Sequence, residues 1–163
     1  MISQEYIKSL FDYLDGELIR KKSSGGHVSG EIVGWISNSR REKFYKKTTI
    51  DSKTYYVHSL VFLFHHGILS KRIDHIDGNG LNNKIENLRE CTQSQNIANS
   101  KISTANTSGY KGVTFRKDTK KWQAQIMVNK KHISLGSYAT KEEAFEAYKS
   151  KSSKIFNEFS RSQ

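Results

Sequence analysis

Hydrophobic positions along the chain come in short blocks whose spacing shifts from helical to alternating and back. Ile7, Leu10, Phe11 and Leu14 recur at three- and four-residue intervals behind Ser3, a good N-cap, so the chain is expected to open with a short helix. Asp15-Gly16 then turns it. ELIRKK, IVGW, KFYKKTTI and TYYVH are short, rich in β-branched or aromatic residues and separated by Gly, Ser and Asp, which predicts strands of a small sheet. VHSLVFLFHHG follows as a buried helix with Val57, Leu60, Val61 and Phe64 inward and Gly67 placed for a left-handed C-terminal cap. His58, His65 and His66 lie on or near it, where core and surface histidines are commoner than metal ligands.

Residues 72–100 break this regularity. DGNGLNN clusters the residue types that turn a chain tightly, while Ile73 and Ile76 before it and Leu88 after it predict two short flanking strands. Thr92 and Gln95 form a capping-box pattern, so a helix should start there, with Asn96 about one turn in and opposite Asp74 and His75. The polar stretch SKISTANTSG, residues 100–109, reads as a linker. Beyond it GVTFR, WQAQIMV and HISLG alternate as a three-stranded antiparallel meander. A second capping box, Thr140 with Glu143, opens a helix whose Ala144, Tyr148, Ile155 and Phe159 would cover one sheet face. The expected class is α+β: a small N-terminal sheet with a strand-loop-strand-helix unit, then a three-stranded antiparallel sheet on one helix.

Composition narrows the partners. The chain has 163 residues, enough for one ordinary domain or two small ones. Lys and Arg number 27 against 16 Asp and Glu, a surplus that favours a polyanion, with nucleic acid leading. Residues 106–163 hold 12 basic against 5 acidic residues and residues 1–105 hold 15 against 11, so the C-terminal third carries most of the surplus. No run of about 18 apolar residues and no basic-then-apolar leader is seen, so neither a membrane span nor secretion is expected. Cys91 is the single cysteine, which excludes an internal disulfide and a multi-cysteine zinc site and suits a small buried residue.

The chemistry available around residues 72–100 follows from residue types. A carboxylate (Asp74) and an amide oxygen (Asn96) are hard ligands suited to Mg²⁺, and a neighbouring imidazole (His75) takes a proton from water near neutral pH. Those are the parts of metal-assisted phosphodiester hydrolysis. Asp74, His75, Asp77, Gly78, Asn82, Asn83, Asn87, Leu88, Arg89, Thr92 and Asn96 together resemble the spaced pattern of phage-type HNH homing endonucleases, in the subclass that ends in Asn. The resemblance implies a ββα-metal unit in which His75 is the general base and Asp74 and Asn96 hold one divalent ion, Mg²⁺ with Mn²⁺ as the alternative. It also implies that Asn87 is the central Asn bracing the loop, with Asn83 the other candidate. Arg89 either touches the scissile phosphate or balances Glu86 and Glu90. The paired cysteines of a zinc staple are missing, so no such staple is expected.

YKGVTFR, KWQAQI, ISLGSY and TKEEAFEAYKSKSSKIF resemble the plant ethylene-response-factor, or Apetala-type, DNA-binding domain. That family lays its sheet in the major groove of DNA, which implies that Lys111, Arg116, Trp122 and Gln125 face DNA. Trp122 has a second reading as a core residue under the helix. Thr114, Met127 and Ser134 stand where plant members usually have Arg, Arg and Trp, so base reading is expected to be reduced. The combined expectation is an HNH nuclease domain at 1–105, with its core motif at 72–100, and a DNA-binding domain at 106–163. The partner is double-stranded DNA, with no membrane and no obligate protein partner, inside the cytoplasm of a bacterial host. A non-catalytic DNA-binding regulator on the same scaffold is the rival, and an RNA-directed protein a weaker third.

Overall fold

Ser3 opens the first helix because its side chain accepts the Tyr6 backbone N–H. The computed structural model describes residues 2–23, 25–38 and 44–160 and shows an α+β chain of small antiparallel sheets and short helices. Its contacts divide into two compact units, residues 1–90 and 91–163.

In the first unit, α1 (Gln4–Leu10) is shorter than the apolar spacing predicts. Phe11 and Leu14 leave the helix for β1 (Phe11–Leu14), which pairs with β2 (Glu17–Arg20) across Asp15 and Gly16, both at positive φ. Such a turn matches the twist of its strands, so the hairpin ladder wins over another helical turn. Phe11 is buried as a result, and Leu14 stays 68% exposed.

The second sheet runs β3 (Trp35–Asn38), β4 (Phe44–Ile50), β5 (Lys53–Tyr56) in that order. Lys43, expected to begin its middle strand, lies outside the described residues. Val57 and His58 belong not to a strand but to α2 (Val57–His66), which follows β5 directly. Val57, Leu60, Val61 and Leu63 of α2 are at most 2% exposed and share one core with Ile7, Phe11, Leu18 and Val33. Phe64 packs at its margin. Each such aliphatic side chain contributes roughly 1.5–3 kcal/mol on burial, so α2 is what gathers sheets too small to stand alone. Gly67, at φ 72°, ends α2 with its N–H on the Leu63 carbonyl. β6 (Ile73–His75) and β7 (Leu88–Glu90) then pair antiparallel, joined by a loop that closes with a 3₁₀ turn at Ile85–Asn87.

The second unit contains α3 (Gln93–Asn99), the sheet of β8 (Val113–Arg116), β9 (Lys121–Val128) and β10 (Lys131–Tyr138), and α4 (Lys141–Phe156). Both expected capping boxes form, at Thr92 with Gln95 and at Thr140 with Glu143. The buried stripe of α4 is Ala144, Tyr148, Ser152 and Phe156, a strict four-residue repeat. Phe159 is buried too, but on a 3₁₀ turn (Asn157–Phe159) reached after Asn157 takes φ 46°. Gly112 is required where this helix crosses the sheet, because a Cβ there would lie 2.2 Å from the Tyr148 ring.

The division between the compact units falls inside the 72–100 motif. The cause is the packing of α3. Ala98 joins Ile126, Tyr148, Phe156 and Phe159 in one apolar cluster, with Cys91 against it, and Ser94 Oγ accepts the Asn129 backbone N–H at 2.9 Å. The segment read as a linker is partly an ordered polar knot: Asn106 Oδ1 accepts from Ser108 Oγ and Gly109 N, and Asn106 Nδ2 donates to the Tyr110 carbonyl.

Candidate active site and nucleic-acid face

Antiparallel register places Asp74 opposite Arg89 and His75 opposite Leu88. Directly paired residues share a face, and the Arg89 guanidinium donates from both Nε and Nη2 to Asp74 Oδ2 at 3.1 Å. The two side chains are 12% and 7% exposed, a desolvated pair whose cost is offset by charge-assisted hydrogen bonds. Arg89 thus has a partner that neither of its sequence readings named.

His75 is 6% exposed, and its Nε2 lies 3.1 Å from Asn83 Oδ1. With the amide oxygen toward the ring, Nε2 carries the proton and Nδ1 keeps its lone pair, a tautomer assigned from the hydrogen bond. Burial lowers the imidazole below its ordinary pKa, against the opposing pull of the Asn83 bond and of Asp77 and Asp74. His75 is therefore neutral at pH 7.

The loop between β6 and β7 is a hydrogen-bonded knot centred on Asp77. Its carboxylate accepts from Asn79 N, Asn82 Nδ2 and Asn87 Nδ2, at 2.7, 2.7 and 3.0 Å. Burial works to raise Asp77, but these bonds hold its carboxyl below the usual range. Asn87 closes the knot, accepting the Asp77 N–H and donating to the Asn82 carbonyl. The two asparagines weighed for one role therefore divide it: Asn87 braces the loop and Asn83 holds the ring. Gly80 lets the loop touch β4, since a Cβ there would meet the Phe44 carbonyl at 2.4 Å and the Tyr45 ring at 2.6 Å. Tyr13 Oη, accepting the Ile85 N–H at 3.0 Å, ties the loop to the first hairpin.

Sequence reading missed the aromatic wall around His75. His58 stands edge-on to His75, ring centres 5.0 Å apart, and stacks on Tyr56 at 5.1 Å, while Tyr45 lies 6.0 Å from His75. Burial, and secondarily the neighbouring His75, pushes His58 down to about 3, so it stays neutral. The core-histidine reading of His58 thus agrees with its burial, and no sequence signal linked it to His75 because the two are on different elements. Asn96 is on α3 in the second unit.

In the second unit the strand pairing sorts the expected DNA-facing residues. Trp122 lies opposite Phe115 and Tyr138 and packs with Val113, Ala124 and Ala144, so it is on the helix-covered face. Trp122 is half-buried there, with Ala144 of α4 as an apolar neighbour. Lys111 is also otherwise engaged, donating from Nζ to the Ala98 and Ser100 carbonyls at 2.5 and 2.6 Å. It satisfies carbonyls at the C-terminal end of α3 that the helix leaves open. Arg116 pairs with Lys121, Gln123 with Thr114 and Gln125 with Ser134, all on the opposite, open face. Arg116 is held 3.3 Å from Asp118.

Three comparisons bear on these sites. The HNH endonuclease family model matches residues 55–98, and the AP2 domain model matches residues 108–157. Protein 3.8 of Escherichia phage T7 is 38% identical over 65 residues, which are 40% of this chain and 54% of that protein. The chain thus spans about half the length of the curated relative it matches. No solved structure matches it significantly. Among the described residues no helix is long and apolar enough to cross a membrane. The matched segments contain, in order, the β6-loop-β7 site and the β8–β10 sheet with α4, and the chain therefore carries an HNH endonuclease domain followed by an AP2 domain.

Proposed function

We propose that the chain is a DNA endonuclease of homing type that hydrolyses phosphodiester bonds with His75 as general base. The carrying observation is the Asn83 contact to His75 Nε2, which sets the tautomer so that Nδ1 is the basic nitrogen of the ring. In this reading Nδ1 removes the proton of the attacking water, and the products carry 5′-phosphate and 3′-hydroxyl ends. Asp74 fits a hard divalent cation, Mg²⁺ or Mn²⁺, because its carboxylate is nearly buried and already oriented by Arg89. Asn96 is its second ligand by motif position. When bound, the ion supplies charge stabilisation for the phosphorane and the leaving oxygen. Arg89 acts through Asp74 as a positioning residue, and Asn87 keeps the loop shaped beneath His75. Arg116 and Gln125 of the open sheet face meet phosphates and base edges in the major groove. The site of action is the cytoplasm of a bacterial host.

Conversion of supercoiled plasmid to nicked or linear form, with Mg²⁺ and with chelator, tests the reading. Mg²⁺-dependent conversion by the parent and its loss in His75→Ala are expected. Intact DNA binding with no conversion under either condition would replace it with the rival, a DNA-binding regulator on an HNH scaffold.

A further inference from the structure

The first unit holds a cavity of about 770 Å³ away from the HNH loop, walled by α1, the β1–β2 hairpin and the β3–β4 strands. Arg20 lies in its wall. The guanidinium rests over the Phe11 ring, 5.8 Å from its centre, yet its Nε is shielded from solvent and donates to nothing among the described residues. A buried donor left without an acceptor is rare in folded proteins and asks for a reason. The acidic residues of the cavity are already committed: Glu31 lies 3.4 Å from His27, and Asp51 accepts from Tyr6 Oη at 3.0 Å. What remains unanswered in this concavity is the Arg20 Nε donor. At its edge Trp35 leaves 49% of its surface exposed, a large flat ring with an open face.

An oxyanion for the planar guanidinium and a flat partner for the indole are the two chemical halves of one nucleotide unit. We propose that this cavity binds a nucleotide of a DNA strand, its phosphate on Arg20 and its base or sugar against Trp35, as a contact separate from the β8–β10 sheet. A polymer rather than a free nucleotide is favoured because two recognition elements from different strands, β2 and β3, line the opening. The contact lies outside both matched segments, 55–98 and 108–157, and does not depend on which residue is the catalytic base.

Binding of the full chain to a labelled 40-base-pair duplex, measured across salt concentrations, tests the proposal with Arg20→Gln and Trp35→Ala. Each variant should bind about three- to tenfold more weakly. Arg20→Gln should also reduce the slope of log K against log salt by roughly 0.9, whereas Trp35→Ala should leave it unchanged. Trp35 is exposed, so its variant stays folded and informative even if loss of the Arg20–Phe11 contact unsettles the other. DNA should quench the component of tryptophan emission that disappears in Trp35→Ala. Parental affinity and slope in both variants would overturn the proposal. Quenching of that component by deoxynucleoside monophosphate or inorganic phosphate, but not by the duplex, would overturn it in favour of a free anion.

Discussion

At the scale of single residues, His75 is built by its neighbours. Asn83 sets the tautomer and burial keeps the ring neutral. With His75 in its proposed role as general base, which acts on the transition state, His75→Ala should slow plasmid cleavage about 10²- to 10⁴-fold while DNA affinity stays at the parental level. The two asparagines should separate in the same assay. Asn83→Ala should cost roughly tenfold or more in rate, since a mis-set tautomer would disable His75 in its proposed role, and about 1–3 kcal/mol in stability, since the buried Nε2–H loses its acceptor. Asn87→Ala removes three hydrogen bonds from the loop and should lower stability by about 2–3 kcal/mol. Equal behaviour of the two variants would end the division of roles.

His58 yields a pH prediction whose sign is fixed by its surroundings, Tyr45, Tyr56 and His75. Its pKa is depressed from 6.5 to about 3 in the folded chain, so between those values the unfolded state binds more protons. Folding stability attributable to His58 is then full above pH 6.5 and is lost as pH falls toward 3, with a slope near 1.4 kcal/mol per pH unit at most. Denaturant titrations of the parent and His58→Gln from pH 7.5 to 4.5 check this. The variant should show the shallower decline.

At the scale of elements, two tight turns dictate local prospects. Ser52 occupies φ 61° between β4 and β5, a conformation that disfavours a residue with a Cβ. Ser52→Gly should stabilise the chain by about 0.5–1 kcal/mol in thermal denaturation. Gly80 is the opposite case. Gly80→Ala would drive a methyl group against the Phe44 carbonyl and the Tyr45 ring, lowering stability by about 1–3 kcal/mol and loosening the loop above the base. Helix α3 shows a different dependence: seven residues are too few to be helical alone, and its order comes from the Thr92 cap, the buried Ala98 and the Lys111 ammonium.

At the scale of the whole molecule, affinity and fold have different boundaries. Residues 106–163 carry seven of the eleven excess charges, 12 minus 5 against 15 minus 11, so their removal should weaken DNA binding and flatten its salt dependence. The compact second unit nevertheless begins at Cys91. A fragment of residues 91–163 should be more stable than one of residues 106–163, because only the longer one keeps Ala98 in the core and the acceptors for Lys111 and Asn129 N. A difference of about 2 kcal/mol corresponds to roughly 10 °C in Tm for a domain of this size. Calorimetry on the two fragments checks it, and equal melting temperatures would remove α3 from the list of elements that stabilise the second unit.

Local signals in the sequence were enough for the caps at Ser3, Thr92 and Thr140, for the meander and α4, for the β6-loop-β7 unit and for the HNH and AP2 patterns, because each is written within a few neighbouring residues. Tertiary structure decided the rest. Which asparagine faces His75 depends on the path of a loop pinned through Gly80 to β4 and through Ile85 to Tyr13, contacts 35 or more residues away in sequence. The resemblance set both Trp122 and Gln125 toward DNA, whereas the strand pairing puts them on opposite faces and the packing of Ala144 shows which face α4 covers. Phe11 and Leu14 fit a helical period, but the Asp15-Gly16 hairpin chose the strand, whose alternation buries Phe11 and exposes Leu14. Helix α3 reads as the end of one motif and packs as the beginning of another unit, since a motif records chemistry along the chain whereas burial is settled by whichever apolar surface the fold brings within reach.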